Sequence, residues 1–474
     1  MGRKKLNNNF KQEYRGFITD YLFPLVGLVD KELLDDLVEF DEEENVGSVV
    51  QDGCTVYFSI SRWRLFKVEL NESERLTNDN VKLANRVIQS FTQLSENKKT
   101  GSGKQNIILN DFHRAKVYNT AIEKGICGWI VDHSKNIQIE RLFNILEKWS
   151  VKTYEGRNVT LGFVIDLDKK SSFDSQYGDW LSFLEDDAAA VLSDCIHSVI
   201  ELDGNCNFVR FLSISQDNKF PSDELSYRIP LRFTQVIRQY VKKDDNRVGV
   251  FLLNNGDIIL AKDESTRFVK RNLQWLNFSY EAFRNALNPF VEKYAIHNDR
   301  LLESVFASML DVSFSHAGGI IAIVGDPWQK DKENDFEKDI LHRCDNLLSG
   351  ESFAQLEKTL MAPETEEDFE SKNADTRKRL LKRNVLQCLI QDKKFVHLDR
   401  KLRSELMSLD GACILTPTGE IVSFGAIIRS DSGSTGGGRG AAAKKLSAYG
   451  MAVKVSTDGY IELYINQALK YAIK

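Results

Sequence analysis

The residues best suited to chemistry lie in the last third of the chain. Ser432-Gly433-Ser434-Thr435-Gly436-Gly437-Gly438-Arg439-Gly440 leads into an alanine-rich helical stretch, Ala441-Ala442-Ala443 through Leu446 and Ser447. A glycine-rich loop that enters a helix N-terminus is an anion site. Its backbone N–H groups can point at phosphate oxygens, and the helix dipole favours negative charge there. Arg439 adds charge-assisted hydrogen bonds. Gly436, Gly437, Gly438, Gly440 and Arg439 are therefore candidate phosphate contacts. No Gly-Lys-Ser/Thr closes the loop, so it is not a Walker A loop. It does not follow the first strand of a βαβ unit, so it is not a dinucleotide fingerprint. Glycine-rich stretches also serve as plain connectors, so the order of the flanking elements has to decide.

That order is informative. Apolar residues at helical spacing run from Asn298 to Phe314, with Asn298 or Asp299 as N-cap. Gly318-Gly319 stops the helix, and Ile320–Val324 is a short apolar strand that ends at Gly325-Asp326-Pro327. Asp410-Gly411-Ala412 opens a strand, Ala412–Leu415. Thr416-Pro417-Thr418-Gly419 turns the chain, and Glu420–Ile428 returns. After the glycine loop a helix is expected from Ala441 to Gly450. Met451–Ser456 and Tyr460–Ile465 then form strands about Thr457-Asp458-Gly459.

In this order of elements the chain resembles the diadenylate cyclase family, the domain found at the N-terminus of the DNA-integrity scanning protein. The residues that carry the resemblance are Asp410-Gly411-Ala412, Gly437-Gly438-Arg439-Gly440-Ala441-Ala442-Ala443, Ser447, and Ser456-Thr457-Asp458-Gly459. It covers roughly residues 296–474 and extends toward the hairpin near 250. It implies an α/β fold, a mixed sheet flanked by helices; the strand and helix patterns of the first two hundred residues add an N-terminal α/β or α+β domain. It also implies that each protomer binds one nucleoside triphosphate and that two sites meet face to face. The 3′-hydroxyl of one nucleotide attacks the α-phosphate of the other, and pyrophosphate leaves. Asp410 would stand near the attacking hydroxyl and the Mg²⁺ or Mn²⁺ ion. Gly411, Ala412, Ser447 and Ser456 would join the glycine loop in holding nucleotide, and Arg439 would hold the triphosphate. Such catalysis is positioning plus neutralisation of charge.

The chain departs from the family at the basic motif. Where the family has Arg-His-Arg, this sequence has Arg439, Gly440 and Ala441. Gly438 replaces a threonine, and the acid after Ser456 is displaced to Asp458. Lys444, Lys445 and Arg429 are cations near enough in sequence to compensate, although lysines there usually face solvent. His316, His397 and Arg400 are further candidates for contact with a ligand. Two readings stay open. One is a nucleotidyltransferase that makes a cyclic or linear dinucleotide second messenger. The other is an inactive nucleotide sensor that regulates a partner effector protein, in a setting such as antiviral defence. The two-site chemistry implies at least a homo-oligomer.

The remaining sequence sets the frame. A chain of 474 residues suits two or three domains. We place one at 1–235 and the other at 236–474, with a charged insertion at about 328–380. The formal charge of -6 argues against a protein that coats duplex nucleic acid. The seven cysteines show no Cys-x-x-Cys spacing, and Cys195 with His197 is a poor metal pair. No apolar run reaches the roughly eighteen residues of a membrane span, and the basic start has no apolar segment behind it. These features point to a cytoplasmic protein without membrane partners. Residues 13–40 read as helix, with Asp30 as an internal cap. Residues 54–70 read as two strands, Gly128–Val131 and Leu161–Ile165 as apolar runs about a helix through Leu142, Leu146 and Trp149. Val248–Leu253 and Asp257–Ala261 read as a hairpin about Asn254-Asn255-Gly256, with a helix near 279–293 and another from Arg377 to Arg403.

Overall fold

The computed structural model describes residues 8–28, 31–39, 48–60, 63–97, 111–131, 137–171, 179–215, 226–243, 245–294, 296, 299–325, 341–346, 390, 393–428 and 437–473. The chain forms two compact α/β units. One comprises Met1–Leu225 with Arg232–Asn285, and the other Ser226–Leu231 with Ala286–Lys474. Most of the expected insertion at 328–380, the stretch 377–389 and Asp30 lie outside the described residues.

In the first unit, strands β1 (Leu34–Glu39), β2 (Ser48–Asp52), β3 (Thr55–Ile60) and β4 (Trp63–Glu69) form an antiparallel sheet in the order β1-β4-β3-β2. The helical expectation for 13–40 is corrected here. Helix covers Asn8–Phe17 and continues irregularly to Leu25, but Leu34–Glu39 is a strand paired with β4. Cross-strand pairing outweighs the local leucine spacing. Gly128–Val131 is also not a separate run, because Gly128 to Ile130 end the helix Asp111–Ile130. That helix crosses Asn78–Asn97 so closely that a Cβ on Gly125 would lie 2.4 Å from Val87 Cγ2. After a two-stranded ribbon, β5 (Thr153–Tyr154) and β6 (Arg157–Asn158), come β7 (Leu161–Asp166), β8 (Ser198–Asp203), β9 (Phe208–Ser213), β10 (Arg247–Leu252), β11 (Ile258–Lys262), β12 (Ser265–Arg271) and β13 (Gln274–Asn277). These seven make one mixed sheet, β13-β12-β11-β10-β7-β8-β9. β10 pairs along its whole length with β7. The hairpin near 254 therefore belongs to the first unit, and the boundary falls near residue 285 rather than 235.

The second unit holds β14 (Gly319–Val324), β15 (Leu341–Asn346), β16 (Ala412–Leu415), β17 (Ile421–Ile428), β18 (Gly450–Val455), β19 (Ile461–Ile465) and β20 (Ala468–Ile473). They form a second mixed sheet, β15-β17-β16-β14-β18-β19-β20. β14 is buried throughout, as its unbroken apolar run requires. On one face Ile320, Ala322 and Val324 pack with Ala442, Ala443 and Leu446 of the helix Gly437–Leu446. Ile321 and Ile323 alternate to the other face. The helix Asp299–Ser315 leads into β14 and ends with His316 at φ 53 and Gly318 at φ 70.

The two seven-stranded sheets share one plan. A central strand, β7 or β14, runs parallel to β8 or β16 and antiparallel to β10 or β18. β9 or β17 flanks one side and a meander β10-β11-β12 or β18-β19-β20 the other, while the seventh strand differs, β13 beyond β12 in one sheet and β15 beyond β17 in the other. The agreement extends to hydrogen bonds. Leu253 N–H donates to Asp257 O at 2.9 Å and Gly256 N–H to Leu253 O at 3.0 Å. Ser456 N–H donates to Tyr460 O, and Gly459 N–H to Ser456 O, both at 2.9 Å. Each meander then turns on two residues of positive φ, Asp263-Glu264 (52 and 54) or Asn466-Gln467 (49 and 63). A register shift follows Leu260 in one and Leu463 in the other.

Candidate functional site

Register fixes which residues of the second unit share an end of the sheet. Ile320 pairs in parallel with Ala412, and Gly319 pairs antiparallel with Val455. Gly318, Asp410-Gly411 and the turn Ser456-Thr457-Asp458-Gly459 therefore lie at one end, the amino end of the two parallel strands. Asp410 is exposed there. Gly411 has a structural reason as well: it sits at φ 105, and a Cβ on it would lie 2.4 Å from the carbonyl carbon of Gly425. Gly319 lies equally close to a neighbour, with its would-be Cβ 2.3 Å from Met407 O at the end of the helix Arg400–Met407.

The glycine segment starts its helix earlier than expected. The helix begins at Gly437 (φ 69), so Gly438, Arg439 and Gly440 form its first turn and precede Ala441. Gly436 and Arg429 lie outside the described residues. Arg439 is half-buried, and its guanidinium lies against Gly318. A Cβ on Gly318 would stand 2.9 Å from Arg439 Nη1 and 3.2 Å from Thr457 Cγ2. No described residue accepts a hydrogen bond or forms an ion pair with that guanidinium. The structure thus brings Arg439, Gly318 and Thr457 together. Spacing alone does not mark Thr457 or Gly318 as contacts, because the fold, not the sequence, brings them beside Arg439.

Lys454 is a second residue that sequence reasoning missed. Its signal was the alternation of β18, which puts it on the same face as Ala452, under the helix. A Cβ on Gly440 would lie 3.8 Å from Lys454 Nζ. Lys454 Nζ is 2.9 Å from Glu462 Oε2, and the Tyr464 hydroxyl donates to the same oxygen at 2.9 Å. Burial, then the hydrogen bond to Glu462 and its charge, push the Tyr464 hydroxyl up to about 12. Lys454 is thus neutralised in place. Arg439 supplies the net positive charge, beside the N–H groups of the helix's first turn.

The other candidates are placed differently. Ser447 is fully buried. Its hydroxyl donates to Lys444 O at 2.7 Å and accepts from Gln467 N–H at 3.0 Å, which ties the helix end to the β19–β20 turn. Ser456 Oγ accepts from Tyr460 N–H at 3.0 Å within its own turn. Ala412 is buried in the sheet core. Arg400 corrects an expectation, for it is committed internally. It grips Asp311 through two bonds, at 2.7 and 2.9 Å, and donates to Ile229 O at 2.6 Å. His397 is exposed in a single helical turn, and Lys444 is exposed. His316 takes its positive-φ position at the helix end.

The first unit carries its densest charge at the opposite, carboxyl end of its parallel strands. Glu201, fully buried, meets Lys169 at 2.8 Å, Arg210 at 2.6 Å and Arg247 at 3.5 Å, and Arg247 also meets Asp166 at 2.9 Å. Each charge there is answered by another, so the cluster reads as a structural network. Among the described residues no group of three or more His, Cys, Asp and Glu is arranged to hold a metal, and no helix is long and apolar enough to cross a membrane. Comparison with protein-family models, curated proteins and solved structures gives no match.

Proposed function

We propose that the second unit binds a nucleoside triphosphate at the amino end of β14 and β16, and that it joins two such nucleotides with release of pyrophosphate, as the resemblance to diadenylate cyclases implies. The observation that carries this reading is the half-buried Arg439 guanidinium, held against Gly318 and Thr457 in the first turn of a glycine-started helix. A cation without a described partner beside free helix N–H groups suits a triphosphate. Asp410, exposed at the same end of the sheet, supplies the carboxylate.

A Mg²⁺ or Mn²⁺ ion fits this donor set in one way. Such ions keep most of their shell as water and phosphate oxygen and need only one or two carboxylates. Asp410 would hold the ion with the substrate's phosphates, and the ion would neutralise charge on the reacting phosphate. This chain's own residues do the rest. Arg439 and the helix N–H groups orient the phosphates, and Asp410 accepts a hydrogen bond from the attacking hydroxyl. Two sites must meet, so the reading requires a second copy of the chain.

A sensor that binds without chemistry is the second reading. Gly440 and Ala441 stand where the family carries cations, and Lys454, the cation beside Gly440, is held by Glu462. Both readings require binding, which thermal unfolding with each nucleoside triphosphate tests. Ligand at one hundred times its Kd stabilises by about 2.7 kcal/mol. We expect one nucleotide to do this in the wild type and to fail in Arg439→Ala. If no nucleotide shifts the wild-type transition, both readings fall.

A further inference from the structure

We infer that the first unit is a second copy of the same module and holds a second phosphate-binding site, centred on Arg232, that binds nucleotide without reacting it. The inference takes its ligand class from the proposed function and adds a site in a different unit.

The warrant is positional. Six strands of the two sheets agree in order and direction, and the meanders agree in register, in both turns and in the register shift. They also agree at the hairpin after the second parallel strand. Asp203 N–H donates to Asn207 O at 2.9 Å and Cys206 N–H to Asp203 O at 2.8 Å. Thr416 N–H donates to Glu420 O at 2.9 Å and Gly419 N–H to Thr416 O at 3.0 Å. Cys206 (φ 60) takes the left-handed position that Gly419 (φ 83) takes. Even the strand exits match, with Leu167 N–H donating to Asn246 O at 3.0 Å and Gly325 N–H to Tyr449 O at 2.8 Å. Agreement at this level of detail lets one unit be read against the other, residue by residue.

Thr457, which flanks Gly318 together with Arg439, corresponds to Asn254 in the first unit. An arginine reaches that residue too: Arg232 Nη1 lies 3.4 Å from Asn254 Oδ1. Arg232 is exposed and lies in the 3-10 turn Leu231–Phe233, which runs into the seven-residue helix Thr234–Tyr240; that helix occupies the place of Gly437–Leu446 in the plan. It lies about one helical turn earlier in its segment than Arg439 does in its own. Thus the place is shared, though the alignment column is not. Each unit sets an arginine on the same turn, at the amino end of its parallel strands.

The counterpart of Asp410 is His197. It stands three residues before Ile200, which pairs with Phe163 as Cys413, three residues after Asp410, pairs with Ile321. His197 Nδ1 lies 2.6 Å from Asp194 Oδ2, and its side chain is 74% exposed. A histidine fixed by an aspartate can donate to a phosphate, whereas it cannot replace a carboxylate that shares a divalent cation with substrate. The first unit therefore keeps an arginine at that turn and has a histidine in place of the reacting carboxylate.

The test is the number of phosphate sites per chain. Full-length protein is titrated with inorganic triphosphate, which both sites read whatever base they prefer, and stoichiometry is taken by calorimetry. We expect two equivalents in the wild type. Arg439→Ala removes one and Arg232→Ala the other. Arg232→Lys keeps its equivalent at several-fold weaker affinity. The thermal transition of Arg232→Ala should match wild type, because the side chain is exposed. A single equivalent that Arg439→Ala abolishes and Arg232→Ala leaves intact overturns this inference and spares the proposed function. A single equivalent with the opposite pattern sinks the proposed function and upholds this inference. No equivalents at all sink both.

Discussion

Gly318→Ala probes the candidate site without replacing a charged residue. The position adopts φ 70, where a side chain costs about 1–2 kcal/mol. The new methyl would stand 2.9 Å from Arg439 Nη1, closer than real contacts allow, while Thr457 Cγ2 at 3.2 Å blocks relief on the other side. The guanidinium has to move. For a unit of this size the strain lowers Tm by about 2–4 °C per kcal/mol. The displaced arginine loses a charge-assisted hydrogen bond worth about 1.5–3 kcal/mol, or roughly 10- to 150-fold in nucleotide affinity. The assay pairs thermal unfolding with a nucleotide titration at a temperature well below either transition. A variant that is destabilised as expected yet binds nucleotide like wild type would show that Arg439 does not meet the phosphates, and the reasoning would fail.

Two further predictions concern the frame around the site. Arg400→Ala removes three hydrogen bonds and leaves Asp311, whose side chain is only 8% exposed, without its cation and with the Leu231 N–H as its remaining described donor. Chemical denaturation should show a loss of about 3–5 kcal/mol. A neutral result would mean that the pair is not formed in solution. In the first unit, burial pushes the Glu201 carboxyl up, and hydrogen bonds and charge from Lys169 and Arg210 outweigh it and hold the group below its ordinary range. Glu201 therefore adds stability above the usual glutamate range near about pH 4.3, and that stability is lost as pH falls. Glu201→Gln should be less stable than wild type at neutral pH, and the gap should close as pH drops below that range. A gap that stays constant with pH would refute the assignment.

The sheet of the second unit was largely legible in sequence. Ile320–Val324, between two glycines, and Ala412–Leu415, between Gly411 and Thr416, are unbroken apolar runs, and such runs form central strands. Leu34–Glu39 misled because its leucines also fit helical spacing, and only its partner β4 decides. The glycine helix started early because glycine gives no sequence mark for where a first turn begins. The shared plan of the two units was hidden for a related reason. It is fixed by apolar alternation and by positive-φ positions that different residues fill: Gly419 in one copy is Cys206 in the other, and Asn466-Gln467 matches Asp263-Glu264. Thr457 and Lys454 joined the site through pairing and packing, to which one-dimensional spacing is blind.

The central claim is the joining of two nucleotides, and mass spectrometry of reaction products tests it most directly. The full chain is incubated with each ribo- and deoxyribonucleoside triphosphate, singly and in pairs, with Mg²⁺ or Mn²⁺, beside Asp410→Asn. We predict a cyclic or linear dinucleotide together with pyrophosphate in the wild type, and neither in the variant, with nucleotide binding retained. Binding without any dinucleotide from any combination would contradict the claim and leave a sensor.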